Sequence, residues 1–587
     1  MILLRIIAFI HTGCSKGAFA ILIFFSGITS VAFSQRNSTL AQGKHNFDLR
    51  KDFGAESGVH VDPAINNVAF QRAMERLYKN AGGTLFIPKG IYKISIPIRI
   101  HSNIHLKGSG VGRTIILLSN NAGCDVIQNF SFFEKDIKPR IDSFIVISGI
   151  EIDGNKSGNP RKMEGVSKRR GNSGVPFQAG IQLVNVRKVE IRNCFIHHCS
   201  WNGIVMGGAS DVALLKTRSD DNGNNMIPLF TQTEAMGVLV WNAPYRGGSC
   251  RNIIIKNCSA SKNQKHGIEV YGEQNENILI DSAFCTENEA AGIVINCFQK
   301  GKQRLDNGKI TNSICYNNAI SAVMVFGNGV TVSGCTLQDI YPDLTPALLN
   351  DTIKSITQSM IVGSGFNISI SKNSIIGSFP ERYKRLNNFE IRGITVEGDS
   401  IFIKNNKLLK IYGRGILASG SNIDIISNSL NDVGIGGSLS PIGIQISEGR
   451  IIQLRNNSII KSGRVGIYVQ NASQLLLSEN TIMNAGKTGF EIYNSENATV
   501  SKNLIADNGK RENGHSIGLR IYNCREMRVS ENICKNSSVE KNYVQDFGIS
   551  IEGECSSINV FKNELHNNKL KGINISTASK TIKVFQD

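Results

Sequence analysis

Tryptophan and proline are scarce, at 2 and 12 in 587 residues, and no two cysteines have the CxxC spacing. Little proline beside 41% apolar residues excludes a collagen-like chain and a disordered one. Thirteen cysteines in this length are too dilute for a small disulfide scaffold, and with no Cys/His spacing either they give no zinc site. Long apolar runs are also missing: beyond the first 34 residues nothing reaches the ~18 needed to span a bilayer. Acidic residues fall short of basic ones, 47 against 65, and the resulting charge of +18 is spread along the chain, which favours acidic partners.

The N-terminus reads as an export signal. Arg5 and Lys16 accompany an apolar stretch from Ala18 to Val31, and Ala32-Phe33-Ser34 before Gln35 is a small-x-small cleavage pattern. The expected organisation is a signal peptide over 1–34, a linker over 35–46, an N-terminal cap with the first coils over 47–117, and repeats over 118–587. The mature protein is expected to be secreted or periplasmic, with its oligomeric state left open. Cys14 falls in the signal, whereas Cys194 and Cys258 each follow an Asn after a strand-like run and are expected as stacked, buried thiols.

What is abundant is glycine, 58 residues, and from residue 180 it recurs in one phrase: Gly, an apolar residue, a variable one, another apolar one. The phrase begins at Gly180, Gly203, Gly237, Gly267 and Gly292, passes Ala322, and resumes from Gly393 to Gly572, in units of about 22 residues with insertions. Each unit has a second alternating run ending in Asn, as at Asn193, Asn257, Asn456 and Asn503. Period-two alternation gives strands, and Asn at a fixed place suits a left-handed turn and a ladder of stacked amides. The fold class expected is all-β, a solenoid whose units bury their apolar residues against one another, in about fifteen coils stacked ~4.8 Å apart.

Before the repeats, Asp62 and Pro63 have the residue types that cap and start a helix over Ala64 to Asn80, expected to plug the open end. The segments Asp52-Phe53-Gly54-Ala55, Gly82 to Tyr92, Leu106-Lys107-Gly108-Ser109-Gly110 and Ile150 to Asn155, taken with the Gly-Ile rungs, resemble the pectate-lyase-like superfamily of right-handed parallel β-helices over residues 47 to 587. That resemblance implies polysaccharide handling by lyases, polygalacturonases, uronan epimerases or phage tailspikes, without choosing the reaction.

Counting from each Gly, residues at +2 and +4 face outward in columns. The +2 column reads Gln182, Val205, Leu239, Glu269, Val294, Met324; the +4 column reads Val184, Gly207, Trp241, Tyr271, Asn296, Phe326. Among these six rungs only that of Gly267 pairs a carboxylate with a phenol, and His266 and Lys265 precede it. His266, Glu269, Tyr271 and Lys265 are therefore the expected catalytic groups, with Trp241, Asn242, Glu273, Asn296 and Asp221 as substrate contacts. The rung is similar to that of uronan epimerases, where Tyr, Asp and His hold the −1, +2 and +4 places; here the set is permuted and Glu replaces Asp. A lyase or epimerase must neutralise a uronate carboxylate and move the proton at carbon 5, for which Lys265 or His266 and Tyr271 or His266 are suited. Calcium, held by Glu269, Glu273 and Asn296, is the candidate cofactor.

A glycoside hydrolase needs two carboxyl groups, as Glu269 with Glu273 or Asp221 could supply. Asp220-Asp221 resembles the paired aspartates of polygalacturonases, but Asn-Thr-Asp, Gly-His-Gly and Arg-Ile-Lys are missing, and a solvated turn is the simpler reading. A binding or structural β-helix without catalysis is the third alternative, in which the outward residues merely pack beneath the insertions at 168–177, 222–236 and 338–362. A further outward cluster comprises Glu397, Glu491, Tyr493, Arg520, Tyr522 and Glu552. The basic segment Arg161-Lys162 with Lys168-Arg169-Arg170 suits an anionic glycan better than nucleic acid, because aromatic interleaving is absent.

Overall fold

The computed structural model describes residues 45–133, 140–160, 178–223, 235–241, 248–272, 274–297, 305–340, 356–377, 389–434, 441–509, 515–537, 544–576 and 581–585. Residues 41–587 form one compact unit. Most full coils contribute three strands, as in Ile181–Val184, Val186–Arg192 and Phe195–His197, while in four middle coils one long strand, such as Ile356–Ser371 or Phe389–Lys404, runs through the first two faces. Every strand pairs in parallel with the equivalent strand of the next coil, so the coils stack into three faces. On the third face the ladder runs through seventeen strands among the described residues, somewhat more coils than the glycine phrase alone marks. Three of the extra coils lie at the N-terminus, where Gly90–Ile94, Thr114–Leu118 and Glu151–Asp153 already build the third face before the first Gly rung, and another, Ile356–Ser371 with Ser374–Ile376, lies between the Ala322 and Gly393 rungs.

The residues at +1 and +3 are the core: Ile181, Leu183, Ile204, Met206, Val238, Val240, Ile268 and Val270 all lie within it, each at most 1% exposed. The rung glycines are fixed by stacking. A Cβ on Gly267 would stand 2.6 Å from the carbonyl oxygen of Gly292, and one on Gly237 2.7 Å from that of Gly267, so each permits the next coil to approach.

The asparagines divide into two roles. Asn193, Asn257 and Asn456 adopt left-handed φ of 51, 54 and 55° and turn the chain between the second and third strands. Asn503 instead occupies the next place, where Cys194, Thr217 and Cys258 stand in early coils and Asn373, Asn406, Asn428, Asn457, Asn480, Asn503, Asn532 and Asn563 form a continuous ladder later. Within it each amide Nδ2 donates to the next Oδ1, at 3.0 Å for Asn457 to Asn480 and Asn480 to Asn503, and also to a strand carbonyl. All twelve cysteines among the described residues are free and buried, as the thiol reading expects.

The helix occupies Pro63–Lys79, with the Asp62 carboxylate accepting from the Ala64 N–H at 2.9 Å. Its face of Ala69, Phe70, Ala73, Met74 and Leu77 is buried in the same core as Leu85 and Ile87 of the first coil. No helix among the described residues is long and apolar enough to cross a membrane.

Candidate functional site

The first face carries the predicted rung on Ile268–Tyr271. Parallel pairing puts Leu239, Glu269 and Val294 in one column and Trp241, Tyr271 and Asn296 in the next, as the Gly count requires. Glu269 is 3% exposed although it points away from the core, whereas Tyr271 is 47% exposed. The outer side of this face has its own small apolar cluster, Ala179, Val205, Met236 and Leu239, with Trp241 packed against it. A carboxylate and a phenol thus stand two residues apart, one withdrawn from water and one open to it, beside an indole.

His266 enters the rung differently from the expectation of a proton-exchanging base. Its Nδ1 accepts the Ala291 N–H at 3.1 Å, which leaves Nε2 as the protonated nitrogen of a neutral ring. The residue as a whole is half-buried, and burial of the ring and then the nearby Lys265 charge push its pKa down to about 3. A neutral imidazole with Nδ1 engaged can donate from Nε2–H but has no lone pair left to take a proton. Lys265 is half-buried; its backbone is fixed by its N–H to Ala235 and its carbonyl to Ala290. Asn296 is half-buried, one coil beyond Tyr271. Asn242 and Glu273 lie outside the described residues, as do the basic segment 161–170 and most of the three insertions; the calcium set that includes Glu273 is therefore not assembled here.

Asp221 is not brought to the first face. It follows the third-face strand Arg218–Asp220 with a left-handed φ of 54° and engages Lys156 Nζ at 2.6 Å and His198 Nε2 at 3.1 Å. Asp220 accepts from the Ser261 N–H at 3.0 Å and from Arg218. Asp220 thus ends a third-face strand and Asp221 stands at the partly exposed turn the sequence suggested, held there by Lys156 and His198, so the pairing of Glu269 with Asp221 that a hydrolase would use is not formed.

The later cluster is assembled apart from Glu397, which pairs in register with Ser364 and Ser419. Tyr468, Glu491 and Arg520 share the +2 column, and Tyr493, Tyr522 and Glu552 the +4 column. The phenol rings stack obliquely, at 5.4 Å for Tyr468–Tyr493 and 5.2 Å for Tyr493–Tyr522. Arg520 donates to Glu552 at 2.6 Å and lies 5.6 and 5.7 Å from the centroids of Tyr493 and Tyr522. Burial and the Glu491 charge push the Tyr493 phenol up to about 12, so it stays protonated. The outward cluster expected from the sequence is thus largely formed, and Tyr468, which the sequence did not single out, joins it from the preceding coil.

The chain matches the family model for the right handed beta helix region over residues 148–303 and 392–537, just over half its length, and it belongs to that family. This agrees with the β-helix superfamily resemblance in the sequence. Mannuronan C5-epimerase AlgE1 of Azotobacter vinelandii is 25% identical over 287 residues, covering 47% of this chain and 18% of that protein. Alginate lyase 7 of the same organism is 27% identical over 149 residues, covering 24% and 17%. The chain thus spans less than a fifth of the length of either relative. Among solved structures, the pre-mature gene product 12 of bacteriophage phi29 superposes with a TM-score of 0.52 at 12% identity, covering 92% of this chain and 73% of that one, a likeness of fold.

Proposed function

We propose that the protein modifies a uronate-containing polysaccharide at the Gly267 rung, as a lyase or C5-epimerase. The observation that carries this is the adjacency on one rung of a half-exposed phenol, a buried carboxylate and a neutral imidazole, next to Trp241. Tyr271 is the group suited to exchange the carbon-5 proton, because it is polar, exposed and seated on a rigid strand. Lys265 offers the charge that neutralises the uronate carboxylate, His266 Nε2–H a neutral donor, and Glu269 a buried carboxyl group two residues from Tyr271. Trp241 and Asn296 flank Tyr271 along the face, as sugar contacts would. The names of the epimerase and lyase relatives support uronate as the substrate class. We also take the helix Pro63–Lys79 as the N-terminal cap and the run Ala18 to Val31 as an export signal.

The test is a screen of purified protein against alginate, pectate, glycosaminoglycans and neutral glycans. Ultraviolet absorbance from an unsaturated uronate, or a changed epimer ratio without cleavage, is the expected result on at least one acidic polymer. Hydrolytic products without unsaturation would instead favour Glu269 with a second carboxylate, and no product on any polymer would favour a binding role.

A further inference from the structure

The third face holds a second constellation, independent of the Gly267 rung. Glu151–Asp153 and Phe195–His197 are neighbouring strands in register, so Glu151 lies beside Phe195 and Asp153 beside His197. His198 follows at the corner with a left-handed φ of 50°, which swings its ring back toward Asp153. The two imidazoles meet through Nδ1, 2.9 Å apart, and His198 Nδ1 is 3.4 Å from Asp153 Oδ1.

The other ring nitrogens each face a carboxylate. His197 Nε2 is 3.2 Å from Glu151 Oε1, and His198 Nε2 is 3.1 Å from Asp221 Oδ2, while Lys156 binds the other Asp221 oxygen at 2.6 Å. Each Nε2 is placed to donate to its carboxylate, which turns each Nδ1 toward the point shared with Asp153. Two ring nitrogens and a carboxylate oxygen thus converge on one point, where a single cation would bridge them. The donor atoms of Asp153, His197 and His198 all lie within 4.8 Å of one another. Two nitrogens about 2.0–2.1 Å from one ion stand about 2.8–3.0 Å apart at right angles and about 3.3–3.4 Å apart at the tetrahedral angle, so the 2.9 Å Nδ1 separation fits the right-angled arrangement. The Glu151 and Asp221 contacts are the carboxylate–histidine pairs that orient metal-bound imidazoles.

We propose that Asp153, His197 and His198 bind a divalent ion of zinc-like softness, through one oxygen and two nitrogens. The donor set favours such an ion over calcium, which takes oxygen ligands. Three protein ligands leave a coordination position, and the site opens onto a groove of about 570 Å³ walled by Phe195, Arg218, Lys262 and Phe284. His197 is 10% exposed and His198 45%, so the ion would be anchored from within and reachable from the groove.

The experiment uses untagged full-length protein stripped with chelator, then titrated with zinc by calorimetry and with cobalt by visible absorption. One zinc per chain and cobalt d–d bands are expected. His198→Ala and Asp153→Asn, both at partly exposed positions, should each weaken zinc binding at least about 100-fold, and Asp221→Ala, which touches no ion, about 10–100-fold. Circular dichroism of each variant checks that the β-helix persists. Absence of zinc and cobalt binding by wild type, or binding unchanged in folded His198→Ala and Asp153→Asn, overturns the proposal.

Discussion

One five-residue phrase occurs twice on the first face, and its two copies behave differently. Gly267-Ile268-Glu269-Val270-Tyr271 and Gly489-Phe490-Glu491-Ile492-Tyr493 both bury the Glu, at 3% and 7% exposed, and both put a Tyr at +4. The neighbours make the distinction. Glu269 lies between Leu239 and Val294, with His266 before the Gly and Trp241 beside Tyr271. Glu491 lies between Tyr468 and Arg520, with Thr488 before the Gly and Tyr522 beside Tyr493. At the later rung the cation is already neutralised by Glu552 and its phenol is half-buried in a row of rings. The earlier rung keeps its phenol open to a ligand. In a solenoid the chemistry of a rung is therefore set by the coils above and below as much as by its own sequence.

The largest expected difference is in turnover. Tyr271→Phe should lower the rate on the uronate polymer on the order of a hundredfold or more, the usual worth of a proton-transfer group, whereas Tyr493→Phe should leave it within about twofold. Steady-state assays of both variants check this, and equal losses would erase the comparison. Acid stability comes next. The folded His266 pKa, about 3, lies below the ordinary 6.5, so the unfolded chain binds the extra proton between these values and stability falls as pH drops through that window. His266→Gln should flatten the pH dependence of stability across that window by up to about 5 kcal/mol in total, and Thr488→Ser should leave it unchanged. Arg520→Ala should cost about 1–2 kcal/mol in chemical denaturation, because Glu552 loses its partner where solvent screens only part of the charge. The smallest effect is on affinity: binding of an acidic polymer should weaken a few-fold as ionic strength rises to physiological, where screening shortens to ~8 Å, while a neutral glycan shows no such trend.

Most of the fold was legible because a solenoid repeats its constraints. The Gly that admits the next coil recurs in most units and the alternation that fills the core accompanies it, so the columns at +2 and +4 around Gly267 were assigned correctly from counting alone. The helix was legible from Asp62 and Pro63, which act locally. The dual role of Asn was not, since Asn456 and Asn457 are adjacent in sequence yet one turns the chain and the other joins the amide ladder. Nor was the neutral state of His266, which depends on the Ala291 N–H one coil away. The third-face cluster escaped because Asp153 and His198 are 45 residues apart and meet only through coil stacking. Asp221 was noticed for its residue type and assigned to the wrong face, because nothing in Asp220-Asp221 encodes the corner that directs it to Lys156.

The central claim is that the phenol of Tyr271 moves the carbon-5 proton of a uronate. Its most direct test is turnover of an acidic polymer in deuterium oxide, followed by nuclear magnetic resonance and mass analysis of the sugar units. The account predicts deuterium at carbon 5 in an epimerised product, or carbon-5 proton loss with an unsaturated uronate if elimination occurs, and the disappearance of either signal in folded Tyr271→Phe. Product formation with the carbon-5 hydrogen retained, or undiminished exchange in Tyr271→Phe, would contradict it.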